Sequence, residues 1–171
     1  MIEIALADAE RTVDQPDGIP AVAILHARGT REVLDSALAL CGSPEPKRRA
    51  LGAQMLGELG SPRTFPDQCC DALRDLVRRE QDRDVLSAAI FACGHLGDRR
   101  CEPEVIALRN HPDQVVRHGV AFALCGATSP PAVQALIDLM EDPYEMARDW
   151  ATTSIGQSLS LDGPEIRAAL L

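Results

Sequence analysis

Apolar residues in this chain return at spacings of three and four, and one grouping recurs. In residues 116–125 (VRHGVAFALC), with Arg117 as origin, apolar or small residues stand one before it (Val116) and three, six and seven after it (Val120, Ala123, Leu124). The same frame fits at Arg49 (Gly52, Met55, Leu56, Gly57, Leu59, Gly60), at Leu86 (Val85, Ala89, Ala92, Gly94, Leu96, Gly97) and at Arg148 (Ala151, Ile155, Gly156). Spacings of three and four place these side chains on one face of a helix. The origins are separated by 37, 31 and 31 residues. A fixed period in this range predicts a helical solenoid, whose units bury their apolar faces only by stacking on their neighbours.

Stop and start signals divide the chain into helices. Residues 19–28 form an apolar helix with Pro20 in its first turn and Gly29 as its stop. Thr30 caps a helix over 31–41, and 47–59 ends at Gly60 with Pro62 just beyond. Further pairs are predicted at 66–79 with 83–96, at 103–109 with 114–126, and at 131–140 with 144–158, joined by turns rich in proline and aspartate. No period-two run is long enough to predict a strand. The expected organisation is an N-terminal segment with a capping helix (1–29), then an array over 30–171 of about four helix pairs plus the first helix of a fifth (163–171). Ile166, Leu170 and Leu171 form an apolar stripe with nothing after them to cover it. The expectation there is a natural chain that continues into a capping helix, or self-association through that end.

Composition narrows the classes. The chain is 46% hydrophobic but only 3% aromatic, which suits helices packed closely through small side chains. A net charge of −9 repels phosphate and argues against nucleic acid and anionic membranes as partners. No apolar run has the length of a membrane span. The opening MIEIALADAE carries acids and lacks a basic start, so no secretory leader is expected. The six cysteines then read as reduced, mostly buried thiols, and the cytoplasm is the expected compartment.

Candidate chemistry is sparse. Cys93, His95, Cys101 and His111 show no C-x-x-C or H-x-x-x-H spacing, so neither a metal nor a cofactor is expected. Cys69 and Cys70 lie on a helix whose apolar side holds Cys69, Leu73 and Leu76, which favours core packing over nucleophilic catalysis. Arg49, Arg117 and Arg148 recur once per repeat, either as a ladder for an acidic partner or, the favoured reading, as staples to nearby carboxylates and carbonyls. Five residues after each origin, a position about 130° from the core direction, stand Gln54, Phe91, Phe122 and Thr153. Two of the three phenylalanines thus share one off-core column. With His95, His118, Arg117, Arg148 and Trp150 beside them, Phe91, Phe122 and Thr153 form a candidate binding surface. The alternative is that both rings fill the seam between repeats.

The run Val116, Arg117, Val120, Ala123, Leu124 and its copy Arg49, Gly52, Met55, Leu56, Gly57, Leu59, Gly60 resemble the HEAT-like repeats of the phycobilin-lyase type, V-R-x-x-A-x-x-A-L-G-x-L-G. Leu86 departs from that pattern in place of arginine, and Cys125 in place of glycine. The resemblance covers roughly Thr30 to the end and implies an all-α, right-handed α-solenoid of stacked antiparallel helix pairs. It implies no single activity, because the family includes scaffolds, bilin lyases, iron-dependent hydroxylases and alkylpurine DNA glycosylases. The hydroxylases' His-Glu dyads are missing: His26, His95, His111 and His118 precede Ala, Leu, Pro and Gly. A glycosylase reading suffers from the acids near Trp150, namely Asp138, Glu141, Asp142, Glu145 and Asp149. The expected function is a non-catalytic scaffold that binds another protein or a peptide on its concave face. The alternative is a bilin-lyase-type enzyme or subunit holding a linear tetrapyrrole in the groove.

Overall fold

Capping side chains set half of the described helix starts. The computed structural model describes residues 27–157, together with Ala7 and Ala23, and all regular structure among them is helical. Eight α-helices are described: α1 Arg31–Cys41, α2 Pro46–Gly57, α3 Pro66–Arg79, α4 Arg83–Leu96, α5 Glu102–Ala107, α6 Gln114–Ala123, α7 Pro130–Leu139 and α8 Glu145–Gln157. A 3-10 turn, Arg99–Cys101, precedes α5. The Thr30 hydroxyl accepts from the Val33 N–H at 3.4 Å, and Asp82, Asp113 and Ser129 cap α4, α6 and α7 in the same way. α2, α3, α5 and α7 carry proline in the first turn, where no backbone donor is lost.

The chain divides into two compact units, Met1–Asp98 and Arg99–Leu171. In the first, the second helices α2 and α4 stack on each other, while α1 covers α2 and α3 covers α4. In the second, α6 and α8 stack, with α7 against α8 and α5 beside α7. The cores are aliphatic: Leu34, Leu51, Met55, Leu56, Leu73, Leu76 and Ile90 are fully buried in the first unit, and Leu124, Leu136 and Ile155 in the second. Small residues set the helix separations. A Cβ on Gly57 would stand 2.8 Å from the Cα of Ala92, and one on Gly52 would stand 2.8 Å from the Ala37 carbonyl oxygen. In the second unit the buried Ser154 hydroxyl donates to the Ala121 carbonyl at 3.3 Å and ties α8 to α6.

Three of the predicted helices, Arg31–Cys41, Pro66–Arg79 and Arg83–Leu96, have the predicted ends. Others stop sooner. The pattern predicts a helix over 114–126, but α6 ends at Ala123, where Cys125 N–H bonds the Phe122 carbonyl and Ala127 N–H the Leu124 carbonyl, closing a turn through Gly126 at φ 69°. The apolar repeat runs on through this tight turn because Leu124 is buried there too. In α5 the same happens: Leu108 and Arg109 N–H groups reach back three residues, and the predicted end at 109 retreats to Ala107. The expected helix pair member at 163–171, its apolar stripe, and most of the N-terminal segment and capping helix lie outside the described residues.

Candidate functional site

The repeated arginines build one arrangement twice. Arg49 Nη1 donates to the Ser43 and Pro44 carbonyls at 3.1 and 3.0 Å, within the turn that precedes α2. Its Nε and Nη2 grip Glu80 in the next repeat's turn, at 2.8 and 3.0 Å. Glu80 in turn accepts from the Gln81 and Asp82 N–H groups. In the second unit Arg117 donates to the His111 and Pro112 carbonyls at 2.9 and 3.1 Å and grips Asp142 at 2.6 and 3.0 Å. Asp142 accepts from Tyr144 N–H at 2.8 Å. Arg148 repeats the first half, donating to the Asp142 carbonyl at 2.8 Å. The planar fork of arginine makes both bonds to the carboxylate at once, which a lysine ammonium cannot do.

These pairs are shielded from water but fully hydrogen-bonded, which is what a buried ion pair requires. The Arg49 bonds hold the Glu80 carboxyl down at about 2, against burial that would raise it. At Asp142 burial pushes upward, yet the bonds from Arg117 and the Tyr144 N–H, with the Arg117 and Arg148 charges, leave it below the ordinary aspartate value. Arg49 and Arg117 therefore act as staples between successive turns of their own unit. At the remaining origin the chain carries Leu86, and the residues six before Arg49 and Arg117 are Ser43 and His111, where the turns before Leu86 and Arg148 offer Glu80 and Asp142.

The aromatic residues of the second unit gather on the face shared by α6 and α8. The Phe122 and Trp150 rings meet edge to face, with centroids 4.9 Å apart and planes at 78°. His118, one turn before Phe122, lies 6.5 Å from Trp150 and 6.2 Å from Tyr144, the latter again edge to face. All four rings are half-buried. Edge-to-face contacts of this kind add about 0.5–1.5 kcal/mol beyond the area they cover. Burial pushes the His118 imidazole below its ordinary value, so the ring is neutral near pH 7. Met146, one turn before Trp150 on α8, is 42% exposed.

Of the predicted surface, His118, Phe122 and Trp150 come together. Arg117 and Arg148 lie on the same two helices but turn to the Asp142 turn, and Thr153 is exposed on α8. Phe91 is half-buried on α4 in the first unit, and His95 is exposed there with Nδ1 3.1 Å from Glu58 Oε1. The off-core column is thus less exposed than its angle predicts: Gln54, Phe91 and Phe122 are half-buried and only Thr153 is exposed. A ring is long enough to lean back across the neighbouring helix, as Phe122 does onto Trp150. Tyr144 and Met146 were not legible as members of the cluster. Met146 carries the signal of standing four residues before Trp150, whereas Tyr144 lies in the turn before α8, where helical spacing has no meaning.

Elsewhere little is poised for chemistry. All six cysteines are free, and five are buried. Burial raises the Cys41 thiol to about 12 and Cys69 to about 11, values at which neither forms a thiolate near neutral pH. Among the described residues no group of three or more His, Cys, Asp or Glu side chains could hold a metal ion. No described helix is long and apolar enough to cross a membrane. An open cleft of about 380 Å³ beside the Arg117–Asp142 pair is lined by Arg109, His111, Asp138 and Glu141, and Arg109 and Asp138 approach each other across it at 3.6 Å.

Comparison with known proteins agrees with this architecture. The HEAT repeats family matches residues 70–156, half of the chain. Protein YibA of Escherichia coli K12 is 24% identical over 159 residues, which is 87% of this chain and 55% of YibA. The chain therefore spans about half the length of that relative. The X-ray structure of the Escherichia coli YibA superposes with a TM-score of 0.73 at 20% identity, over 98% of this chain and 65% of the other. The archaeal HEAT-like repeats protein of Thermococcus onnurineus NA1 does so with 0.51 at 16% identity, over 92% of this chain and 67% of the other. With the family matching half of its length, the chain belongs to the HEAT repeat family.

Proposed function

We propose that this protein is a non-catalytic scaffold that binds another protein or a peptide on the face formed by its second helices. The observation that carries the reading is the half-exposed cluster of His118, Phe122, Tyr144 and Trp150, with Met146 exposed beside it. In a chain with so few aromatics, four rings gathered at a surface are more than the core requires. Trp and Tyr are also the residue types that dominate binding energy at interfaces. HEAT repeats commonly mediate protein interactions, and the free thiols support a reducing, cytoplasmic setting.

The test compares the wild-type chain with Trp150→Ala as bait in a source lysate. The scaffold reading expects partner affinity to fall by more than about 1 kcal/mol while helicity is kept. Equal capture by both proteins would remove this face from consideration.

A further inference from the structure

On α8, at 100° per residue, Met146, Asp149, Trp150 and Thr153 fall within an arc of about 100°. The buried Ala147, Ala151, Ser154 and Ile155 occupy the opposite side. Glu145 borders the same arc next to Asp149, and both carboxylates are exposed. The cations of α6 and α8 are engaged elsewhere: Arg117 grips Asp142, and Arg148 donates to the Asp142 carbonyl. On the described part of α8, the aromatic and thioether surface is thus bordered by the exposed carboxylates Glu145 and Asp149, in a chain of net charge −9.

We infer that this face takes a cationic peptide segment, with an apolar side chain against Met146 and Phe122 and a Lys or Arg beside Trp150, facing Asp149 and Glu145. The assignment rests on the scaffold reading and adds the charge of the partner to it. A cation gains twice here, from the ring quadrupole of tryptophan and from the two carboxylates. An acidic segment would meet repulsion at the same place.

Trp150 is the only tryptophan, so its emission reports on the face directly. The probe is a short peptide of alternating Lys and Leu, free of Trp and Tyr, compared with Gln/Leu and Glu/Leu peptides of equal length. The Lys/Leu peptide is expected to shift Trp150 emission saturably and to bind about tenfold more tightly than the Gln/Leu peptide, with the Glu/Leu peptide weakest. The double variant Glu145→Lys, Asp149→Lys should lose about tenfold or more. The control, Glu32→Lys with Asp71→Lys, makes the same charge change at exposed positions of the first unit and should stay within about twofold. All four substituted positions are exposed, and circular dichroism establishes that each variant is folded. Asp149→Asn serves as a milder second variant and should weaken the Lys/Leu peptide measurably.

Equal weakening by the two double variants would reduce the effect to general attraction and overturn the inference. So would the absence of any emission change with the Lys/Leu peptide. If the Gln/Leu peptide binds as tightly and calorimetry shows its loss in Trp150→Ala, the cationic assignment fails while the scaffold reading stands. The placement of binding on this face is tested separately, by the lysate comparison.

Discussion

Glu80 shows how much one side chain can contribute when its hydrogen bonds are complete. Its carboxyl is held near 2 in the folded chain, against an ordinary 4.5, and its side chain is 6% exposed. A depressed carboxylate contributes stability that is present above the unfolded value and lost as pH falls through the folded one. The window therefore runs from about 4.5 down to about 2. By linkage the contribution above that window is about 3 kcal/mol, to order of magnitude. Urea melts across pH should show Glu80→Gln less stable than wild type at pH 7, with the gap narrowing from about pH 4.5 downward. A gap that does not change with pH would mean that the Arg49 pair adds nothing. Phe122 permits a second prediction. Because its ring is half-buried, Phe122→Ala should cost about 1–2 kcal/mol in a chemical melt, below the 3–5 kcal/mol of a fully buried ring. The arginines of both pairs were legible from their recurrence. Their carboxylates were not: Glu80 and Asp142 both stand six residues before the next origin, but the turns before Arg49 and Arg117 carry Ser43 and His111 there, so no acid recurs to draw the eye.

Among the elements, α2 and α4 approach through Gly57 and Ala92 too closely for any larger side chain. Alanine is the better helix former by about 1 kcal/mol, so an unpacked glycine should gain from the exchange. Two glycines of the repeat frame then separate cleanly. Gly57→Ala must push helices apart, since the new Cβ meets Ala92 atoms at 2.8 to 3.0 Å, and a net loss of about 1–3 kcal/mol is expected. Gly156→Ala on α8 meets nothing within 4 Å and should raise stability by about 0.5–1 kcal/mol. Thermal melts of the two variants measure both signs, and a stabilised Gly57→Ala would refute the close approach. The sequence made these helices readable because period and caps agree: Thr30, Asp82, Asp113 and Ser129 each stand at the start of an apolar face. Helix ends were less readable, as the packing residues Leu59 and Leu124 lie beyond the last helical turn and extend the pattern past the hydrogen bonds.

For the whole chain, electrostatics sets the behaviour in acid. The isoelectric point is near 4.8, where net repulsion vanishes and association is favoured. Glu80, held near 2, and Asp142, held below its ordinary value, remain largely ionised there. Light scattering should therefore peak near pH 4.8 while far-UV circular dichroism stays helical, with unfolding only at lower pH. Simultaneous loss of helix and solubility would contradict this. The period alone revealed the stacked architecture, because in a repeat fold every unit carries the same packing instruction. The proposed binding face was only partly legible, since ring positions depend on how long side chains lean across a seam.

The staples also determine where the chain can grow. Arg49, Arg117 and Arg148 each reach a carbonyl six residues back, whereas the spans to the gripped carboxylates, 31 and 25 residues, differ by more than a helical turn and a half. The longer span is accommodated by a 14-residue α3, where α7 has 10, and by a longer link after α2. One rim of each unit is thus locked in phase, and the other is elastic in length. A residue added between Ser43 and Arg49 would swing the guanidinium about 100° out of its turn. The same residue added beside the exposed Gly126 leaves the six-residue reach of Arg117 and Arg148 unchanged. Grafted epitopes, linkers and natural insertions therefore belong beside Gly126 in the second unit, not beside the closely packed Gly60 of the first.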